Sequence, residues 1–149
     1  MRRLALALTL LTFPAVTMTQ TPQQDALLAR ARALHKQVPL IDGHNDYPWA
    51  LRENAARDLD KLDLTRPQPT IMTDIARLKQ GMVGGQFWSV YIPGEVKDSG
   101  YARIQLEQID IAKRIVAKYP DALSLSLTAA DVRRAKAAGK VGSLLGMEG

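Results

Sequence analysis

The chain has 149 residues, with 20 Lys+Arg against 15 Asp+Glu, two His, no Cys and 46% hydrophobic content. That length suits one domain or part of one, and the ordinary apolar and charged fractions exclude wholesale disorder. The lack of cysteine excludes a disulfide-stapled mini-protein, a thiolate zinc site, a cysteine nucleophile and a cysteine-borne lipid anchor.

Met1-Arg2-Arg3 is a short basic start, followed by an apolar run over residues 4–16 interrupted by Pro14. The small residues Ala15, Thr17 and Thr19 then lead into the polar stretch Gln20-Thr21-Pro22-Gln23-Gln24. This order describes a secretory signal peptide. The apolar run is shorter than the roughly 20 residues a spanning helix needs. Residues 1–20 are therefore expected to be a cleaved export signal, with residues 21–149 as the mature domain. The product would be periplasmic or extracellular, with no stable membrane span. Loss of Arg2 and Arg3 lowers the formal charge, and the remaining bases form no cluster interleaved with aromatics. No nucleic-acid partner is expected.

Residues 25–37 are strong helix formers with Asp25 as the expected N-cap, and Leu27, Leu28, Ala31, Leu34 and His35 form one stripe. His35, near the helix end, reads as a surface or capping histidine. Residues 38–46 begin as an apolar strand and end in the polar cluster Asp42-Gly-His-Asn-Asp46, after which Pro48 opens an expected loop to about Thr70. Thr73 or Asp74 caps a short helix over residues 75–80, stopped by Gly81. A strand over residues 82–92, a long helix over 101–119, a short strand over 123–127, a helix over 128–138 and a last strand over 141–147 follow. The Thr128 to Asp131 spacing marks a capping box at the helix over 128–138. Strands alternating with helices predict an α/β fold with a parallel sheet, whose sites lie at strand C-terminal ends.

Strand alternation puts His44 and Asp46 on one face, about 6.6 Å apart along the strand. An imidazole and a carboxylate converging at a strand end make half of a divalent-metal shell suited to zinc or manganese. Asp42, one step deeper, could orient a ligand. The same residues also read as a polar turn rich in turn formers. Glu148 follows an apolar strand beside Gly142, Leu144 and Gly146, and a carboxylate there could bridge two metal ions. A solvated glutamate fits Glu148 equally well.

Asp42-Gly-His-Asn-Asp-Tyr-Pro-Trp49, Thr73-Asp-Ile-Ala-Arg-Leu-Lys-Gln-Gly81, Gly84-Gly-Gln-Phe-Trp-Ser-Val-Tyr91, Leu106-Glu-Gln-Ile-Asp110 and Gly146-Met-Glu-Gly149 together resemble the membrane (renal) dipeptidase family of metallopeptidases. The resemblance implies a (β/α)8 TIM-type barrel of the metal-dependent hydrolase kind, with two Zn2+ ions at its C-terminal face. By motif position, His44 and Asp46 would hold one zinc and Glu148 would bridge both. Trp49 and Tyr91 would line the pocket for a dipeptide substrate, whereas Gly84, Gly85 and Phe87-Trp88 would serve packing. The family pattern continues beyond Glu-Gly with Gly-His, further zinc histidines and a proton-transferring aspartate. A barrel of about 250 residues also exceeds what this length supplies. The chain is thus expected to be the N-terminal part of a zinc-dependent dipeptidase, incomplete and inactive alone, whose parent could be a homodimer. Two other readings stand beside it: a small exported binding or scaffold domain, and another amidohydrolase-like metal hydrolase.

Overall fold

The computed structural model of the protein describes residues 21–96 and 100–147. The expected export signal over residues 1–20 and the candidate bridging ligand Glu148 lie outside the described residues.

Helix α1 spans Pro22–Gln37. It begins earlier than its apolar pattern suggested because Thr21 is the N-cap: its hydroxyl accepts from the Gln24 amide at 3.3 Å, while the Thr21 amide donates to Gln24 Oε1 at 2.7 Å. Asp25 therefore sits in the first turn and is not the cap. No residue of α1 is buried, so the Leu27, Leu28 and Leu34 stripe lies open.

Strand β1 is Leu40–Asn45. Helix α2, Tyr47–Ala55, occupies a stretch that the sequence suggested was loop. Pro48 had signalled a break, but a proline in the first helical turn removes no hydrogen bond. Tyr47, Leu51 and Ala55, four residues apart, are all buried. The connection that follows is tied down at its middle. The Tyr47 hydroxyl donates to the Leu62 carbonyl at 2.6 Å, and the Leu64 amide donates to the Tyr119 hydroxyl at 3.0 Å.

Helix α3 is Ile75–Gln80, capped by Asp74. Gly81 does not supply the expected left-handed stop; it is right-handed, and Met82 takes the left-handed conformation with φ of 56°. Strand β2 is Val83–Ser89 and helix α4 is Tyr101–Lys118, entered through Gly100 in the left-handed region. Strand β3 is Leu123–Leu125, and helix α5 is Ala129–Ala137, with the capping box formed by Thr128 and Asp131 as expected. Strand β4 is Val141–Gly146. Among the described residues no helix is long and apolar enough to cross a membrane.

The strands make one parallel sheet in the order β1-β2-β4-β3. The chain moves in one direction across the sheet from β1 to β2 and on to β3, then turns back to insert β4. Crossovers between parallel strands keep one hand, so reversing direction transfers the connecting helix to the other face. The contacts agree. Trp88 and Val141 face a core built with Tyr47, Leu51, Ile111 and Ile115 of α2 and α4. On the opposite face Gly85 and Gly142, paired between β2 and β4, look toward α5, where an added Cβ would meet Val132 at 3.2 and 2.9 Å. The face away from α2 and α4 carries Phe87. This side chain lines an apolar cavity of about 330 Å³ with Ile41, Leu144 and Val132.

Candidate metal centre and aromatic wall

The C-terminal end of β1 carries the polar cluster. Opposite β2 the register slips between Asp42 and Asn45, so strict alternation fails at the residues where the site begins. Asp42, His44 and Asp46 nevertheless line one cavity of about 300 Å³, completed by Asn45, Tyr47, Ala50 and residues 70–73.

Asp46 stands at the N-cap of α2 yet makes no capping bond. Asn45 satisfies that turn instead, its Oδ1 accepting from the Tyr47 amide at 3.1 Å. The Asp46 carboxylate is left to the imidazole, with Oδ1 at 2.8 Å from His44 Nε2. Both side chains are about half exposed, at 48% and 59%. Zinc bonds of about 2.0–2.2 Å in a tetrahedral shell set adjacent donors roughly 3.3 Å apart. The His44–Asp46 spacing lies near that value, and neutral imidazole with carboxylate is a fitting donor pair. Asp42 acts on the backbone and not on the ring: its Oδ1 accepts from the His44 amide at 3.1 Å. Among the described residues no cluster of three or more potential ligands forms, so this pair could supply at most part of a metal shell.

Gln86 and the loop before α3 support the cluster. Gln86 is fully buried in β2, donates to the Phe87 carbonyl at 3.1 Å and accepts from Asn45 Nδ2 at 3.3 Å, which steadies the strand end bearing the cluster. The loop wall is held by Asp74. Burial pushes its carboxyl upward, but bonds from the Arg77 and Gln68 amides and the Arg77 guanidinium outweigh this and hold it below the ordinary carboxylate range. Arg77 donates onward to the Gln68 and Ile71 carbonyls at 2.8 and 2.9 Å. Thr73, in the same wall, is buried, and its hydroxyl has no hydrogen-bond partner. The sequence carries a signal for this wall, since Thr73-Asp-Ile-Ala-Arg belongs to one of its ordered motifs. Only the fold shows that it faces His44 and Asp46.

Trp49 and Tyr91 meet edge to face, with ring centroids 6.1 Å apart and planes at 71°. Trp49 stands on α2, one turn beyond Asp46, and Tyr91 lies just past β2. The structure thus brings these two residues to each other but not into the cavity lined by His44 and Asp46. Gly84 and Gly85 serve packing, as expected. A Cβ on Gly84 would lie 2.7 Å from Pro39, so β1 and β2 close only over glycine. His35 is half-buried, with its Nδ1 unpartnered and no second ligand grouped with it among the described residues.

The membrane dipeptidase family, peptidase family M19, matches residues 28–149. The chain belongs to the membrane dipeptidase family. A curated relative, dipeptidase ataJ from Aspergillus terreus, is 44% identical over 140 residues, covering 89% of this chain and 34% of that protein. Dipeptidase 3 from Mus musculus is 40% identical over 126 residues, covering 83% of this chain and 24% of its own. The chain therefore spans about a third or less of the length of these curated relatives. The fold also matches solved structures. A metallo peptidase from Rhodobacter sphaeroides, liganded with a phosphinate mimic of the dipeptide L-Ala-D-Ala, aligns with a TM-score of 0.59 at 24% identity, over 75% of this chain and 38% of that one. The probable dipeptidase PvdM from Pseudomonas aeruginosa aligns with a TM-score of 0.64 at 16% identity, over 85% and 32%. The α/β parallel fold read from the strand–helix alternation is that of the membrane dipeptidases.

Proposed function

We propose that the whole protein hydrolyses dipeptides at a zinc centre, to which this chain supplies His44 and Asp46. The observation that carries the reading is the 2.8 Å His44–Asp46 pair in an open cavity at a strand end. Family membership and relatives named as dipeptidases support it. A divalent ion held by these residues would polarise the scissile carbonyl and lower the pKa of a bound water toward about 7. Glu148 is the proposed bridge between two Zn2+ ions, and ligands beyond this chain would complete the shell. Asn45 keeps the Asp46 carboxylate out of the helix cap, and Asp42 fixes the His44 backbone, so both donors stay directed at one another. The residue 70–73 loop, braced by Asp74 and Arg77, walls the opposite side. Net hydrolysis adds the elements of water across the amide: hydroxyl to the acyl carbon, proton to the departing amine. The Trp49–Tyr91 pair is proposed as a wall of the substrate pocket, and export through residues 1–20 as the route to the periplasm or cell exterior.

The test uses the whole protein, stripped of metal with a chelator and then given back zinc. Dipeptide hydrolysis should vanish and return. Asp46→Asn should weaken zinc binding and activity together. The loss should be at least about tenfold, because even residues that merely support metal ligands cost 10–100-fold. Hydrolysis that persists without any metal would overturn the reading.

A further inference from the structure

The Leu106-Glu-Gln-Ile-Asp110 motif lies on α4, away from the His44 cavity, and nothing in the hydrolytic chemistry uses it. Two of its polar residues, Glu107 and Gln108, instead converge on one arginine, whereas Asp110 pairs with Arg114. Arg52 Nε donates to Gln108 Oε1 at 2.7 Å, and Arg52 Nη2 donates to Glu107 Oε2 at 2.9 Å. The same guanidinium lies over the Trp49 ring, with Cζ 5.7 Å from the centroid. Arg52 follows Trp49 by three residues on α2, so the two side chains share a helix face.

These contacts are not those of a solvated ion pair on the rim. Gln108 is fully buried, and the Arg52 and Glu107 side chains are only 19% and 25% exposed. Glu107 is itself held by two more arginines, Arg57 at 3.2 Å and Arg103 at 2.7 Å. A planar guanidinium with fixed donors and a ring beneath it has little freedom to turn. Helix α4 also reaches the other half of the aromatic pair. Gln105, one turn before Gln108, donates to the Val90 carbonyl at 2.9 Å, next to Tyr91.

We propose that Arg52, clamped by Glu107 and Gln108, is a positioning residue that holds Trp49 against Tyr91 and so sets how tightly the site holds its dipeptide. This rests on the reading of the Trp49–Tyr91 pair as a pocket wall. It assigns the motif on α4 a role in substrate affinity, exerted without touching substrate.

The experiment measures kcat, KM and bound zinc for dipeptide hydrolysis by the whole protein and its Arg52→Met, Arg52→Lys, Trp49→Ala and Arg52→Met/Trp49→Ala variants. Arg52→Met should raise KM by about tenfold, equivalent to ~1.4 kcal/mol of binding, with zinc content kept and kcat changed far less. Arg52→Lys keeps the charge but loses the fork, and should fall between. In the double variant Arg52→Met should add little to Trp49→Ala, because its effect runs through the ring. If Trp49→Ala leaves KM unchanged, the pocket-wall reading fails. If Trp49→Ala raises KM while the arginine variants leave KM unchanged or add independently to Trp49→Ala, the wall stands and the positioning role is wrong. Should Arg52→Met not fold, Arg52→Lys against the same Trp49→Ala background decides.

Discussion

At the scale of single residues, Asp74 shows how a structural carboxylate shapes a candidate site. It accepts from the Arg77 amide at 2.8 Å, from Arg77 Nε at 2.8 Å and from the Gln68 amide at 3.3 Å, and its side chain is only 5% exposed. Its carboxyl titrates lower in the folded chain than in the unfolded one, so folding is favoured when the group is ionised. The stabilisation is fully present above the unfolded value of about 3.9 and is lost as pH falls through the lower folded value. Urea unfolding at neutral pH and near pH 3 should show a drop in stability for the wild type and a smaller drop for Asp74→Asn. At neutral pH, Asp74→Ala should cost about 0.5–2 kcal/mol, the usual loss of a helix N-cap. Equal acid sensitivity in wild type and Asp74→Asn would show that the bonds at Asp74 carry no linkage. The residues of the candidate centre were legible in part. His44 and Asp46 were singled out by spacing and chemistry, and the structure pairs them. Asp42 reads as a residue that could orient a ligand, and it holds His44 through the backbone amide, a contact that the alternation of side chains does not reveal. The unpartnered Thr73 hydroxyl was invisible, since its burial depends on a loop folding back onto β1.

At the scale of elements, the helices with strong caps were readable from local chemistry. Thr128 with Asp131 caps α5 as its spacing predicts, whereas at α1 the acidic Asp25 masks the capping box of Thr21 with Gln24. Helix α2 is not legible in the sequence, because Pro48 reads as a terminator but stands in a first turn. The side of the sheet that receives α5 could not be read at all, because it follows from β4 inserting between β2 and β3. That placement makes a testable demand on Gly142. A methyl there would lie 2.9 Å from the Val132 backbone and 3.0 Å from Ser126 Oγ. Gly142→Ala should destabilise by about 1–3 kcal/mol through overpacking, measured as a lower urea midpoint. Gly94→Ala, with nothing within 4 Å of the added methyl, should be neutral or slightly stabilising. Equal effects at the two positions would show that α5 does not pack on this face.

At the scale of the molecule, the described residues build a four-stranded parallel arc with edges at β1 and β3. Its two faces divide the labour. The face toward α2 and α4 holds the main core around Trp88, Ile111 and Ile115, and the other leaves Phe87, Leu144 and Ile41 around a cavity beside α5. The metal-binding candidates stand at a strand C-terminal end, where parallel α/β sheets carry their chemistry. Family and fold class were therefore legible from ordered motifs and alternation, while the faces, the loop wall and the arginine clamp needed three dimensions. The central claim is that His44 and Asp46 together hold zinc. Anomalous scattering at the zinc edge from crystals of the whole protein tests it directly. The account predicts a zinc peak about 2.0–2.2 Å from both His44 Nε2 and an Asp46 carboxylate oxygen. Zinc bound elsewhere, with the His44–Asp46 hydrogen bond left intact, would contradict it.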